Sequence, residues 1–599
     1  MTTEHLTAGY LTALTDAVRE GRPLDATDLR GLDSAGSPAE FRRAGRLFAG
    51  LPGEATVHIG LLATATAGHF ESILRTALVT AGMRPAITAG EYGQFDRDLR
   101  TALPGGDATL VVLHDSYFVP KDWPDVTELR AGITERVAAL GDLVVAAAER
   151  QQATIVLHTV PLSAEVRDAV ISWRDRAALN RCWHELNAAL LGLAERHPGI
   201  AVIDFVAALA DSGAPAVDAR LRKYADIPYS DHAFLVLAKE FRRFVTAKTG
   251  RSRKVLAFDL DNTLWGGVLG EVGAAGVELG GLYPGNCYQD LHRAGLRLRD
   301  QGVILTLASK NDEPAVRTAL TDHPEALLRP DAFSAMSVNW QPKPDGLRRM
   351  ADQLGLGLGS FVFMDDSAFE RGGVAHELPE VAVLAADGDP AELVGTLLGE
   401  GWFDVLDLTE TDQHRPELYR KRAARNGFAE TFHTYDSYLD ALEISVRIGP
   451  ASAYEFARLA QLAGRTNQFN LTGIRFDEAE TARTHLALSC SVSDRFGDEG
   501  VVGAAWVRKD GETWHVLNLL LSCRVLGRGV ELAMAAWLVR QARAAGARRV
   551  HGSFVPTARN GAAAGFWESA GFTPSGDGTF VFDVDREEVL PRWIQLTER

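Results

Sequence analysis

No apolar run in the chain approaches the roughly 18 residues that span a bilayer, so a membrane partner is not expected. Residues 1–14 lack a cationic, apolar leader, and export is not expected either. Cysteine is scarce, with 4 in 599 residues. Cys182, Cys287, Cys490 and Cys523 lie far apart without metal-type pairing, the pattern of reduced thiols in a cytoplasmic protein. Positive charge is in deficit. The formal net charge of −17 argues against nucleic acid as a general partner. Internal repeats and low-complexity tracts are missing, so neither a repeat array nor a disordered class is indicated. What remains is a globular composition, 46% apolar and 24% charged, in a chain too long for one core. Two to four domains are expected.

The most informative stretch is Val255-Leu256-Ala257-Phe258-Asp259-Leu260-Asp261-Asn262-Thr263. An apolar strand delivers two carboxylates, two positions apart, into the turn that ends it. The first can attack phosphorus; the second can protonate the leaving oxygen and then activate water. Carboxylates this close repel each other, which calls for a cation such as Mg²⁺. Taken alone, the pair is moderately specific, since an Asp pair at a strand end can also merely cap the next helix. Its companions decide. Residues 304–309 form a second apolar strand ending in Ser309, followed by Lys310-Asn311-Asp312. Lys343 follows Gln341-Pro342, and residues 361–364 form a strand ending in Asp365-Asp366. This order resembles the four motifs of the haloacid dehalogenase (HAD) phosphotransferases. Asp259 is the expected nucleophile and Asp261 the acid/base. Thr263, Ser309, Lys310 and Lys343 are the expected phosphate binders, and Asp259, Asp261, Asp365 and Asp366 the expected Mg²⁺ ligands. The gaps from Asp261 to Ser309 and from Ser309 to Lys343 hold little beyond a crossover helix and loops, so no large cap is expected. An open site suits a phosphoryl group on something bulky, such as a protein-tethered acyl chain.

Upstream, apolar runs at 57–62, 109–113, 154–160 and 200–205 alternate with helical patterns at 70–81, 135–151, 179–197 and 234–249, a mostly parallel α/β sheet. The organisation expected is a helical preamble with an α/β domain at 1–250, the phosphatase-type domain at 251–404, a helical connector at 405–440 and a third α/β domain at 441–599.

In that third domain a strand at 516–521 leads through Ser522-Cys523-Arg524-Val525-Leu526-Gly527-Arg528-Gly529 into a helix at 530–544. Arg524, Gly527 and Gly529 form a turn whose backbone N–H groups suit a pyrophosphate or phosphopantetheine phosphate, although glycine there also simply permits a tight turn. The segment from Asn560 to Phe572 resembles the closing elements of GNAT acyltransferases. Trp567 stands where that family often has the tyrosine that protonates the leaving thiolate, a task Trp cannot perform. Cys523, beside Arg524 at a helix start, is either a thiolate acyl acceptor or a small buried cysteine. Asn467, Asn470, Thr557 and Asn560 are candidate acyl or phosphopantetheine binders, and Asp494 to Asp498 can orient substrate. His515 and His551 are either bases or structural. The arginines from Arg524 to Arg549 either dock an acidic carrier protein or form a solvated face.

Several strings together resemble the FkbH-like proteins, glyceryltransferase/phosphatases of polyketide pathways. They are the stretch from Asp259 to Gly267 with Gly270-Glu271, Ser309 to Asp312, Arg465 to Thr472, Asp494 to Asp498 and Leu521 to Gly529. The resemblance is close over 255–572. It implies that the acyl group of 1,3-bisphosphoglycerate becomes a thioester on Cys523. The phosphate leaves in the HAD site, and glyceryl passes to the phosphopantetheine thiol of an acyl carrier protein acting in trans. The fold it implies is an SGNH/flavodoxin-like α/β domain, a capless HAD-like domain and a GNAT-like domain. Two departures stand out. Ser367-Ala368 follows the acid pair where the family has Asn-Pro, and the first strand ends Gly60-Leu61-Leu62-Ala63-Thr64 without a Gly-Asp-Ser nucleophile. The first domain is therefore read as a non-catalytic scaffold, despite Asp231-His232.

Overall fold

The computed structural model describes residues 3–101, 106–151, 153–429, 431–466, 468–557 and 559–598, leaving aside the side chains of residues 3–8, 410, 411, 465 and 523. The chain divides into two compact units. One takes residues 1–332, 337–348 and 356–413, the other 333–336, 349–355 and 414–599. Among the described residues the strands form three sheets, and no helix is long and apolar enough to cross a membrane.

The first unit begins with helices Thr3–Arg19, Ala26–Ala35 and Pro38–Phe48, the last opened by a Ser37/Glu40 capping box. Its first sheet comprises β1 (Val57–Ala63), β2 (Pro85–Ala89), β3 (Ala108–Val112), β4 (Thr154–His158) and β5 (Ile200–Ile203), all parallel in the order β2-β1-β3-β4-β5. β3 and β4 are buried at every position, as strands covered on both faces must be. The sequence pattern did not announce β2. It opens on a proline, is half exposed and lies at the sheet edge, where a missing N–H costs no ladder bond. The helix expected at 135–151 starts earlier, at Val126, because Asp125 caps it.

The second sheet comprises β6 (Val255–Phe258), β7 (Ile304–Ser309), β8 (Ala335–Val338), β9 (Phe361–Asp365) and β10 (Ala382–Ala385), in the order β10-β9-β6-β7-β8. β6 is central and flanked in parallel by β7 and β9, so Asp259, Ser309 and Asp365 emerge at one end. Between β6 and β7 lie only the helices Leu269–Val272 and Gly285–Asp300. Cys287 is inside the second of these. Within the first unit Arg242, 6% exposed, pairs with Asp33 at 2.6 Å and also with Glu400.

Burial pushes His158 and His292 of this unit down to about 4. The unfolded chain takes up these protons first, so each histidine's contribution is intact above pH 6.5 and lost as pH falls toward 4. The loss reaches about 3 kcal/mol for each group. Urea unfolding of the His158→Gln variant is expected to depend less steeply on pH than the parent over that window.

The second unit carries β11 (Ile444–Pro450), β12 (Leu486–Asp494), β13 (Gly497–Asp510), β14 (Thr513–Leu521), β15 (Arg549–Ser553), β16 (Thr573–Gly576), β17 (Thr579–Asp583) and β18 (Ile594–Glu598). Their order is β16-β17-β15-β14-β13-β12-β11-β18. β11 to β14 are antiparallel neighbours. β14 and β15 run parallel and pair only over Thr513–His515, then part. The helix Arg415–Ala429 belongs to this unit rather than to a separate connector, since its Arg425, 3% exposed, is an internal ion-pair partner.

Candidate active site

Asp259 lies at the end of β6 with 5% exposure, its N–H bonded to Met364 O of β9. Lys343, at the start of helix Lys343–Leu354, reaches Asp259 Oδ1 at 2.8 Å and also pairs with Asp365. Burial pushes the Asp259 carboxyl up, to about 7; Lys343 opposes this and Asp365 adds to it. Burial alone would pull Lys343 down, but the two carboxylates outweigh it and raise it. Asp366 is raised by burial and by Asp365. One oxygen from each of Asp259, Asp365 and Asp366 falls within 4.8 Å of the others. Three hard oxygen donors, two of them raised toward the neutral form without a cation, fit Mg²⁺.

Asp261 is held differently. Its Oδ1 accepts from Trp265 Nε1 (2.9 Å) and Leu269 N (3.1 Å), and its Oδ2 from Asn311 Nδ2 (2.9 Å). The Asp261 carboxylate is thus engaged by three donors and is not part of the acidic triad of Asp259, Asp365 and Asp366. The turn that follows the two aspartates places Asn262 at φ 55°, a conformation Asn tolerates. The Asn262 Oδ1 accepts from Gly267 N.

Ser309 is buried, and its hydroxyl accepts from Asn311 Nδ2 at 3.2 Å. Thr263 is fully buried, and its hydroxyl has no hydrogen-bond partner among the described residues. Lys310 Nζ pairs with Glu370 at 2.6 Å. Arg371 donates to the carbonyls of Asp365 (2.9 Å) and Asp366 (2.6 Å) and fixes the loop that presents them.

In the second unit, Ser522 and the turn Cys523–Val525 join β14 to the helix Val530–Ala544. The Cys523 side chain and all of Asn467 lie outside the described residues. Gly527 (φ 78°) and Gly529 (φ 84°) adopt the left-handed conformation, and a Cβ on Gly529 would meet Pro591 at 2.8 Å. A buried ion network braces the turn. Arg425 bonds Asp494 through two nitrogens (2.7 and 3.1 Å) and Glu499 at 2.7 Å. Arg528 bonds Asp494 at 3.2 Å and the Arg524 carbonyl at 2.6 Å. Arg524 lies 3.7 Å from Glu499, so its charge is shared with a carboxylate. Asp494, expected to orient substrate, is an interior brace.

The candidate amides are also engaged internally. Asn470 and Asn560 are 3% and 1% exposed, and Asn560 Nδ2 donates to the carbonyls of Asn470 and Val555. The Asn560 Oδ1 accepts from Thr557 N at 2.7 Å, and Thr557 itself is exposed. His515 and His551 face each other at the last paired register of β14 and β15, with ring centres 5.1 Å apart. Arg540 and Arg543 pair with Glu588, Arg548 with Glu512 and Arg549 with Asp583, leaving little free positive charge there. Trp567 is core, 1% exposed, and donates to Ser553 O.

No family model and no curated protein matches the chain. A solved structure does. The N-terminal part of the protein BF1531 from Bacteroides fragilis, described as containing a phosphatase domain complexed with Mg, aligns with a TM-score of 0.55 and 22% identity. The alignment covers 62% of this chain and 99% of that one, and it establishes a shared fold. Two acetyltransferase structures also align. They are the ribosomal-protein-S18-alanine N-acetyltransferase of Escherichia coli (15% identity, 23% of this chain, 90% of that one) and the Salmonella typhimurium yncA protein with its cofactor acetyl-CoA (15%, 24% and 97%). Both have TM-scores of 0.18, too low to carry an argument. The description of the second unit therefore rests on its own strand order.

Of the residues expected at the first site, Asp259, Lys343, Asp365 and Asp366 come together, with Asp261 and Ser309 linked through Asn311. Trp265 and Asn311 were within the strings read from sequence, but their role as holders of Asp261 was not visible there. In the first sheet, Thr64 accepts from His114 N, and Asp231 is tied to Arg42 at 2.6 Å as the first residue of helix Asp231–Lys248.

Proposed function

We propose that the chain loads a glyceryl unit onto a carrier protein and removes its phosphate on the way. The Cys523 thiolate attacks the acyl carbon of 1,3-bisphosphoglycerate, forming a thioester and expelling inorganic phosphate. The Asp259 carboxylate takes the remaining phosphoryl group while Asp261 protonates the freed alkoxide oxygen. Asp261 then accepts a proton from the water that hydrolyses the aspartyl phosphate. Finally the phosphopantetheine thiol of an acyl carrier protein attacks the thioester, leaving glyceryl on the carrier and the thiol on Cys523. Asp259, Asp365 and Asp366 would hold Mg²⁺, whose charge offsets that of the phosphoryl oxygens. Lys343 favours the ionised form of Asp259 and places it. The first sheet is read as a scaffold.

The observation that carries this reading is the Asp259–Lys343–Asp365 ion group, with Asp261 oriented beside it, at a sheet end whose connections hold only the fold's own helices. The acyl half rests on the strand-turn-helix at Cys523 and on the sequence strings. The experiment is carrier loading: phosphopantetheinylated carrier protein, 1,3-bisphosphoglycerate and Mg²⁺, followed by the carrier's mass. Cys523→Ala is expected to load nothing, and loading at the parent rate would remove the cysteine from the mechanism.

A second reading is a phosphatase of a small phosphometabolite beside a CoA-dependent acetyltransferase. It is favoured by the fact that every residue of the Asp259 site lies in the first unit. Rapid Mg²⁺-dependent turnover of free phosphates with no adduct on the enzyme would support it. Under either reading Asn311→Ala removes a charge-assisted hydrogen bond from Asp261. Such a bond contributes about 1.5–3 kcal/mol, so kcat for phosphate release is expected to fall by about 10- to 100-fold.

A further inference from the structure

β14 and β15 part after His515, which leaves one edge of β14 open from Val516 onward. An open edge between diverging parallel strands is a natural slot for an extended, amide-bearing arm, which can pair with it as an added strand. Pantetheine, with two amides in a linear chain, has that chemistry. In this chain the slot is already filled. Residues 469–471 lie antiparallel to β14, bridged at Asn470 and Leu520. Leu471 N donates to Leu519 O at 3.1 Å, and Leu521 N donates to Phe469 O at 3.0 Å. On the far side Val555 N, just beyond β15, donates to Leu471 O at 2.9 Å. The inserted segment thus takes up bonding groups on both walls.

The insert is anchored as core. Leu471 is fully buried, and Phe469 packs edge-on against Phe566 with centroids 5.4 Å apart. Three buried side-chain amides lock it. Asn518 Nδ2 donates to Asn470 Oδ1 and Ile474 O, both at 2.9 Å, while its Oδ1 accepts from Thr472 N. Asn560 closes the other side through the Asn470 carbonyl. Displacing the insert would strand these amides without partners inside the sheet.

We propose that residues 469–472 occupy the place an extended pantetheine would take, so that this domain refuses free coenzyme A and acyl-coenzyme A. Acyl exchange then takes place outside the sheet, at the turn around Cys523. This inference rests on the reading of the second unit as an acyl-transfer domain and narrows its donor class to something other than a free CoA thioester.

The test uses the full chain with coenzyme A and acetyl-CoA, read by calorimetry and by hydrogen exchange at the Leu471 and Val555 amides. The expected result is no binding tighter than about 1 mM, with both amides protected equally with and without ligand. Micromolar binding of either ligand overturns the proposal, and faster exchange at Leu471 on binding would identify the displaced insert. The acyl-transfer reading fails separately: a chain that forms no adduct on Cys523 from an acyl phosphate contradicts that reading whatever the coenzyme A result.

Discussion

Replacing Asp259 by Asn lowers hydrolysis of the phosphate monoester by at least about 10⁴-fold, the scale seen when the attacking group of a catalytic set is removed. A carboxamide cannot attack phosphorus at a useful rate, and two neighbouring carboxylates are already engaged: Asp261 by three donors, and Asp365 by Lys343 and by Ser367 N. The variant is expected to fold, since Asn is nearly isosteric and Lys343 keeps Asp365. Its stability should carry a signature. Burial raises the Asp259 carboxyl to about 7. A raised carboxyl contributes stability that is present below its ordinary value near 4 and lost as pH rises through its folded value. Without metal, the parent should lose that contribution between about pH 4 and 7, and Asp259→Asn should not. Denaturant melts across that window, with and without Mg²⁺, alongside an assay of free phosphate-monoester hydrolysis, check both halves.

Removing Arg425 is expected to cost the second unit about 3–5 kcal/mol, the range for breaking a buried ion pair from one side. Arg425→Ala leaves Asp494 and Glu499, 8% exposed each, without their main cation. Arg528 stays within reach of Asp494, which moderates the loss but strains the hold on the Arg524 carbonyl. The turn that carries Cys523 therefore loosens together with the unit. Arg425→Lys should recover little, because a single ammonium cannot span two carboxylates in the geometry of the guanidinium. Chemical unfolding read by a second-unit tryptophan such as Trp506 gives the magnitude; an effect under about 1 kcal/mol would mean that the network is not a brace.

The first site was largely legible because strand ends present side chains in an order fixed by topology. An apolar strand followed by Asp-x-Asp, then Ser, Lys and Asp-Asp after later elements, brings Asp259, Ser309, Lys343 and Asp365 to one end of a parallel sheet. What the sequence did not reveal was orientation within the turn. Lys310 follows Ser309 directly, yet its long side chain turns to Glu370, and nothing in the local string says so. The partners of Asp261 were likewise hidden, because the donors that engage its carboxylate come from Trp265, Leu269 and Asn311.

The second site was less legible for a physical reason. A buried Asn in a loop has the same appearance in sequence whether it binds a ligand or a neighbouring strand, because both uses need the same donors and acceptors. Asn470 and Asn560 serve the chain itself, and only the parting of β14 from β15 makes that use visible. Asp494 and Glu499 likewise needed the helix Arg415–Ala429, distant in sequence, to be recognised as interior.

The most direct measurement is the intact mass of the chain after incubation with 1,3-bisphosphoglycerate, in the parent and in Asp259→Asn. The account predicts a glyceryl thioester on Cys523 in the parent and a phosphoglyceryl thioester on the same residue in the variant. Unmodified protein in both, with phosphate still released from free substrates, would contradict it.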